Sequence, residues 1–318
     1  MIPEIMKISI VSAVYHGEPF IEELTHQLDH ILSKMAVDFE IIYVDDRSPD
    51  DAWVKINKVA AANTKIKGIR FSKNYGQHRA ISAGLNYADG DYVILVDCDM
   101  QDATEYIPDL IQEAMRGNDI VFARKSSRQF SKIRNFATEI YFKLYNLLTD
   151  GEPVDSTIGT FSVLSKKAVQ AYRRFKDNDR HYVLIVKLLG FKTSYVLLPH
   201  RKRKIGKSSY SLRRLIHHAI DGITSQSTRL LRYMLILGVM VLVFVVIFGF
   251  YLVLNYYRFG SVPSGYTSLA ILLIFSMAIN ITMFGVSGIY IGKTFEQVKG
   301  RPMYIVDESI NLVADREF

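Results

Sequence analysis

The chain has a single cysteine, Cys98, so it can form no internal disulfide. A lone thiol fits a reducing compartment. No Gly-x-Gly-x-x-Gly and no Gly-x-x-x-x-Gly-Lys-Ser/Thr run is present, which argues against a dinucleotide-binding turn and a P-loop. Internal repeats and low-complexity stretches are also missing. The N-terminal apolar run, "KISIV", is too short for the core of a signal peptide. The chain is 49% hydrophobic and carries a formal charge of +7. That surplus suits nucleic acid, anionic lipid or phosphate-bearing substrates, and net charge alone does not choose among them.

Charge is absent where it matters most. Tyr233 to Tyr257 contains no charged residue, and neither does Tyr266 to Gly292. About 20 apolar residues suffice to cross a bilayer core, so each run reads as a transmembrane helix, with a buried core helix as the competing reading. The loop "RFGSVPSG" joins them into a hairpin. Arg229 and Arg232 precede the first run, Lys293, Lys299 and Arg301 follow the second, and the loop holds only Arg258. This bias places both termini and the remaining chain in the cytoplasm of a plasma (inner) membrane protein with two spans. Asn280, in mid-span, is a candidate interhelical hydrogen bonder.

From residue 7 to about 200, short apolar strands alternate with helical patterns. "KISIVSAVY", "FEIIYVDD", "KGIRFS" and "DYVILVD" are strands. Helical spacing runs from Phe20 to Met35, through "RSPDDAWVKINKVAAAN", and through "GQHRAISAGLNYA". This alternation predicts an α/β domain with a mainly parallel sheet covered on both faces. Ligands of such sheets bind beyond the carboxyl ends of the strands. Asp45 and Asp46 lie at one such end, Asp97 and Asp99 at another. Between Ser211 and Leu231 a basic amphipathic pattern predicts a helix lying in the membrane interface, or else one packed on the soluble domain. The resulting organisation is a catalytic domain over 1–210, a juxtamembrane helix over 211–232, spans over 233–257 and 266–292, and a cytoplasmic tail over 293–318.

Carboxylates crowded at a strand end repel one another and call for a counter-charge. Mg²⁺ or Mn²⁺ supplies it, since hard cations take oxygen ligands. Strand alternation turns Asp97 and Asp99 the same way, and Gln101 continues that parity. Mg²⁺ uses one or two carboxylates and leaves other positions to water and substrate phosphates, so the ion would sit on a diphosphate. The competing reading makes these residues solvated loop acids, with Asp102 capping the next helix. His16, His78, His217 and His218 are not expected to bind metal, and Trp53, the only tryptophan, is expected in the core.

"YVDDRSPD" is similar to the "VDDGSTD" of family 2 glycosyltransferases, whose fold is GT-A, a Rossmann-like mainly parallel sheet. "KNYGQHRAISAGLNYADGDYVILVDCDMQDATEYIP" resembles the segment ending in "DADLQDPPE" in the polyprenyl-phosphate hexose synthases, which include dolichol-phosphate mannose synthase and the GtrB-like bacterial enzymes. "RKRKIGKSSYSLRRLIHHAIDGITSQST" resembles their "RxxGxSxY" loop and juxtamembrane helix, and "GIYIGKTFEQVKGRPMYIV" their tail. The likeness spans about residues 7 to 306.

The resemblance implies inverting transfer of a hexose from a nucleotide sugar to polyprenyl (undecaprenyl) phosphate at the cytoplasmic membrane face. A UDP-hexose is expected in preference to GDP-mannose, and nucleic acid is not an expected partner. It implies Asp97, Asp99 and Gln101 as metal ligands, and Asp97, Asp99 and Arg203 as catalytic residues. Tyr15, Glu18, Asp45, Asp46, Asp97, Gln101 and Ser208 would hold the nucleotide sugar; Arg124, Arg134 and Arg203 would hold the lipid phosphate. Lys202, Arg203, Lys204 and Lys207 crowd one loop, suited to phosphate or to an anionic membrane surface. A homo-oligomer, a tetramer, is expected from the family. The chain departs from the family in "AVYHGEP" for "PVYNEEE" and in "IGTFSVL" for "TGDFRL", where Thr160 replaces an acid and Asp155 lies five residues earlier. These departures keep a second reading open, a membrane-tethered nucleotide-sugar-binding protein with weak or no transfer. A processive polysaccharide synthase is disfavoured, because the lone Trp53 excludes its usual "QxxRW" motif.

Overall fold

The computed structural model describes residues 6–125, 157–178, 180–198, 227–259 and 265–312. The chain divides into two units. One comprises Met1–Asn135, Pro153–Ser209 and Arg301–Phe318; the other comprises Phe136–Glu152 and Tyr210–Gly300.

The first unit alternates strand and helix: β1 (Lys7–Val14), α1 (Ile21–Lys34), β2 (Asp38–Asp45), α2 (Ala52–Ala62), β3 (Ile66–Phe71), α3 (Gln77–Tyr87), β4 (Tyr92–Leu95), α4 (Ile107–Met115), β5 (Ile120–Lys125), β6 (Ile158–Ser165), α5 (Lys166–Arg174), α6 (Tyr182–Leu188) and β7 (Thr193–Leu198). A last strand, β8 (Val306–Ile310), comes from the far end of the chain. Among the described residues the strands form one eight-stranded sheet in the order β7-β5-β6-β4-β1-β2-β3-β8. Pairings β1–β2, β1–β4, β2–β3 and β5–β7 are parallel, whereas β4–β6, β5–β6 and β3–β8 are antiparallel. The sheet is therefore more mixed than the sequence predicts, because β6 and the tail strand both run against their neighbours.

The continuous apolar strands are explained by two covered faces. Ile8, Ile10, Ile41 and Tyr43 pack with Leu24 and Leu28 of α1, Ile56 of α2 and Leu110 of α4. Val11, Ile42 and Val44 alternate to the other face and meet Ala80 and Leu85 of α3, Val169 of α5 and Ile185 of α6. Helix α2 begins at Ala52, several residues into the "RSPDDAWVKINKVAAAN" stretch that the helical pattern marks. The Ser48 side chain is engaged in the preceding loop, and Asp50 Oδ1 accepts the Ala52 N–H at 3.3 Å. The β4–β1–β2 order places a switch in strand order at β1. Register aligns Val14 with Asp45 and Asp45 with Arg70, so three carboxyl ends meet along one edge of the fold.

In the second unit, α7 (Arg229–Phe259) and α8 (Tyr266–Val298) have 31 and 33 residues. At about 1.5 Å per residue they are each about 45–50 Å long. Both are long and apolar enough to cross a membrane, and no residue in the most apolar window of either is buried inside the protein. A core helix would be covered, which these windows are not among the described residues. Asn280 Nδ2 donates to the Ser276 carbonyl of its own helix at 2.8 Å. Tyr290 Oη donates to the Ser227 carbonyl at 2.8 Å, joining α8 to the residues just before α7.

Candidate functional site

The site begins at the end of β2. Asp45 is fully buried there. Its Oδ1 accepts the Ser48 N–H at 2.8 Å, while Oδ2 faces Arg70 Nε at 3.4 Å. That contact is close enough for charge attraction but not aligned as a hydrogen bond, and both atoms are buried without a hydrogen-bond partner. Burial, opposed by the Ser48 N–H and the Arg70 charge and reinforced by Asp50 and Asp46, pushes the Asp45 carboxyl up to about 6. The next residue works differently. Asp46 accepts the backbone N–H groups of Tyr75 at 2.6 Å and Gly76 at 2.8 Å, so it latches the loop between β3 and α3. Gly76 has φ +96°, a left-handed conformation that glycine adopts without steric cost. Burial also raises the Asp46 carboxyl, against those two N–H groups and Arg79.

The end of β1 is tied to the same loop. His16 donates its N–H to Ser48 Oγ at 2.7 Å, and Glu18 donates its N–H to Asp50 Oδ2 at 3.0 Å. Tyr15 stands exposed beside them, its ring edge-on to His16. The structure thus brings Tyr15, Glu18, Asp45 and Asp46 into one connected loop cluster at the β1 and β2 ends.

The acidic rim follows β4. Cys98 turns into the core, and burial pushes its thiol up to about 12, while Asp97 and Asp99 on either side stay partly exposed. β4 itself ends at Leu95, so Asp97, Asp99 and Gln101 stand on the turn that follows it rather than on a continuing strand, with Met100 at φ +60°. Asp102 is buried and accepts the Asp97 N–H at 2.9 Å, closing the turn onto itself rather than capping the next helix. Asp97 Oδ1 accepts from Gln77 Nε2 at 3.0 Å and from Thr160 Oγ1 at 3.0 Å. The second contact follows from topology. Antiparallel β4–β6 pairing sets Leu95 against Ser162, and two further residues bring Asp97 opposite Thr160. Gln101 donates its backbone N–H to Asp99 Oδ1 at 3.2 Å and its side-chain amide N–H to Asp99 Oδ2.

Among the described residues no three His, Cys, Asp or Glu side chains form a group able to hold a metal by themselves. Two carboxylates are nevertheless a fitting donor set for Mg²⁺ or Mn²⁺ whose remaining positions go to water and phosphate. Gln101, with its amide N–H turned to Asp99, would have to rotate to offer oxygen.

Arg124, exposed at the end of β5, donates to Thr157 Oγ1 at 3.2 Å and lies 5.6 Å from the centre of the Tyr195 ring. Arg134, Asp155, Arg203, Ser208, the neighbouring lysines and the amphipathic stretch up to residue 226 lie outside the described residues. Trp53 is buried, as a core residue should be. His78 packs against His181 with ring centres 4.4 Å apart. Sequence reasoning missed Arg70 and Gln77. Each is one polar residue in an otherwise ordinary strand or helix start, and only the β2–β3 register and the β4 turn bring them to the carboxylates.

The sequence profile described as glycosyl transferase family 2 matches residues 9–173. An uncharacterised glycosyltransferase of Synechocystis sp. is 30% identical over 304 residues, 95% of each chain. A prophage bactoprenol glucosyl transferase homolog of Escherichia coli K12 is 30% identical over 95% of this chain and 98% of its own. The bactoprenol glucosyl transferase of Shigella phage SfII is also 30% identical, over 96% and 98%. With the profile covering the strands, loops and acidic rim of the site, and relatives matching nearly end to end, the chain belongs to glycosyl transferase family 2.

Proposed function

We propose that the protein transfers a hexose from a nucleotide-diphosphate sugar to a polyprenyl phosphate on the cytoplasmic face of the membrane, with inversion at the anomeric carbon. The observation that carries this reading is the joining, in one family 2 chain, of the Asp45 and Asp97 strand ends with two bare apolar helices. The full-length likeness to bactoprenol glucosyl transferases supports the lipid acceptor and the hexose. The hairpin is supported by chain connectivity. β8 follows α8 yet pairs with β3, so the chain leaves the sheet, passes through two apolar helices and returns to it. Two spans, with the domain and both termini in the cytoplasm, satisfy that path.

Asp45 and Asp46 lie at the nucleoside end and accept hydrogen bonds from base or ribose, with Asp46 also fixing the adjoining loop and Tyr15 and Glu18 flanking it. Asp97 and Asp99, with Gln101, would hold Mg²⁺ or Mn²⁺, and the ion when bound would supply positive charge to the departing diphosphate. Gln77 and Thr160 aim Asp97 by donating to it. Thr160 is no proton acceptor at neutral pH, and none is required: a phosphate monoester is already largely ionised there, its second pKa being about 6. Arg203 and Ser208 close over the donor phosphates, and Arg124, Arg134 and Arg203 bind the acceptor phosphate. The catalytic domain takes in Arg301–Phe318 through β8, beyond the 1–210 bounds of the sequence reading, and the hairpins assemble as a homo-oligomer, a tetramer.

Membranes carrying the protein, incubated with a panel of nucleotide sugars, undecaprenyl phosphate and Mg²⁺ or Mn²⁺, should yield a hexosyl phospholipid identified by mass. Nucleotide binding without product from any donor would instead leave a membrane-tethered nucleotide-sugar-binding protein.

A further inference from the structure

The C-terminal strand is bound to the sheet through the residues that surround Asp45. Glu308 pairs directly with Arg70 across the β3–β8 ladder. Its Oε1 accepts from the Arg70 guanidinium at 2.9 Å and its Oε2 accepts the Trp53 indole N–H at 3.0 Å. The same arginine presents Nε to Asp45 Oδ2 at 3.4 Å, and its guanidinium lies 5.9 Å from the Trp53 ring centre. One residue earlier, Asp307 accepts from Arg47 at 2.6 Å; Arg47 directly follows Asp45 and Asp46 and has φ +53°. Two successive acids of the tail thus hold two arginines, one beside Asp45 in space and one beside Asp46 in sequence.

The rest of the segment is fastened as firmly. Ser72 donates its N–H to the Ile305 carbonyl at 3.0 Å, Tyr304 stacks on Phe71, and Asn311 Nδ2 donates to the carbonyls of Ala60 and Ile66 at 2.8 and 2.9 Å. The ladder shifts register between Arg70 and Phe71, at the residue that reaches Asp45. Such bulges re-aim a side chain. Without Glu308, Arg70 would keep the Trp53 ring face and a poorly aligned contact with a buried carboxylate.

We infer that the C-terminal strand is part of the donor site, with Glu308 a positioning residue that holds Arg70 against Asp45 and so sets the nucleoside end for binding. The inference rests on the reading that Asp45 receives the nucleoside. It makes the tail after the second apolar helix a requirement for donor affinity rather than a spare end.

The test uses the full-length protein in detergent, titrated with UDP and with GDP in parallel; the tighter nucleotide serves as the probe. Glu308→Ala should bind it about fivefold more weakly, the scale of losing one solvent-accessible ion pair, while its thermal midpoint stays near wild type. Trp53, the only tryptophan, provides a signature that mere loss of structure would not: its emission should change when the nucleotide binds the wild type, and that change should be lost in Glu308→Ala. Glu308→Gln, which keeps a hydrogen-bond acceptor, should recover part of both. If Asp45→Asn loses the nucleotide while Glu308→Ala binds it as wild type does, the inference is wrong and the nucleoside reading stands. If neither nucleotide binds the wild type, or Asp45→Asn binds as wild type does, the reading and the inference fall together.

Discussion

Replacing Asp45 by asparagine should make the protein more heat-resistant at neutral pH while removing its nucleotide affinity. The carboxyl is fully buried and titrates near 6, against an ordinary value of 3.8. Between those values the folded chain holds a proton that the unfolded chain has released. Stability therefore falls as pH rises through that window, by about 1.4 kcal/mol per unit. The loss is complete, at about 3 kcal/mol, above pH 6, and absent well below pH 3.8. Asparagine carries no such penalty, and its Oδ1 can still accept the Ser48 N–H. Its Nδ2 would face Arg70 Nε, a donor against a donor, at a cost of about 1 kcal/mol. The net gain is about 2 kcal/mol at pH 7.5, or about 5 °C in thermal midpoint for a domain of this size. At pH 4.5 the wild-type penalty shrinks to about 1 kcal/mol and the two terms cancel. Circular-dichroism melts of both proteins at pH 7.5, 6.0 and 4.5 measure this directly. A midpoint gap that does not change with pH, or a variant that melts lower at pH 7.5, would refute the assignment of a strained, ionised Asp45.

Asp97→Ala and Asp99→Ala should each reduce transfer by more than about 100-fold, and chelation of divalent cations should do the same to the wild type, both read from lipid-linked product. Thr160→Val removes a neutral donor to Asp97 Oδ1; activity should drop about tenfold with little change in melting, as expected for one hydrogen bond to a charged group. Unaltered turnover in that variant would show that Asp97 needs no such support. Gly90→Ala should destabilise strongly, by about 3 kcal/mol. An added Cβ would sit 2.6 Å from the Ser9 nitrogen, 2.8 Å from the Tyr92 oxygen and 2.9 Å from the Lys7 oxygen, all backbone atoms of paired strands that cannot step aside. Low yield and an early thermal midpoint are the readouts.

Sequence alone determined the elements whose signals are local. Apolar runs such as "IIYV", helical spacing and uncharged stretches of 25 residues or more each report the environment of a single segment. The carboxylates at strand ends were legible for the same reason: a strand that stops in aspartates is visible without its neighbours. Pairing is a different kind of information. Nothing in "VDESI" marks it as the strand that closes the sheet beside β3, because the two segments lie more than 230 residues apart and recognise each other only once the sheet exists. Thr160 reads as a lost acid in the sequence, whereas antiparallel register makes it a donor to Asp97. Arg70 reads as an ordinary strand residue, whereas the β2–β3 and β3–β8 ladders hold it between a buried carboxylate and the tail. The tertiary structure decided these contacts, because hydrogen-bond and charge energies depend on distances that only strand register fixes.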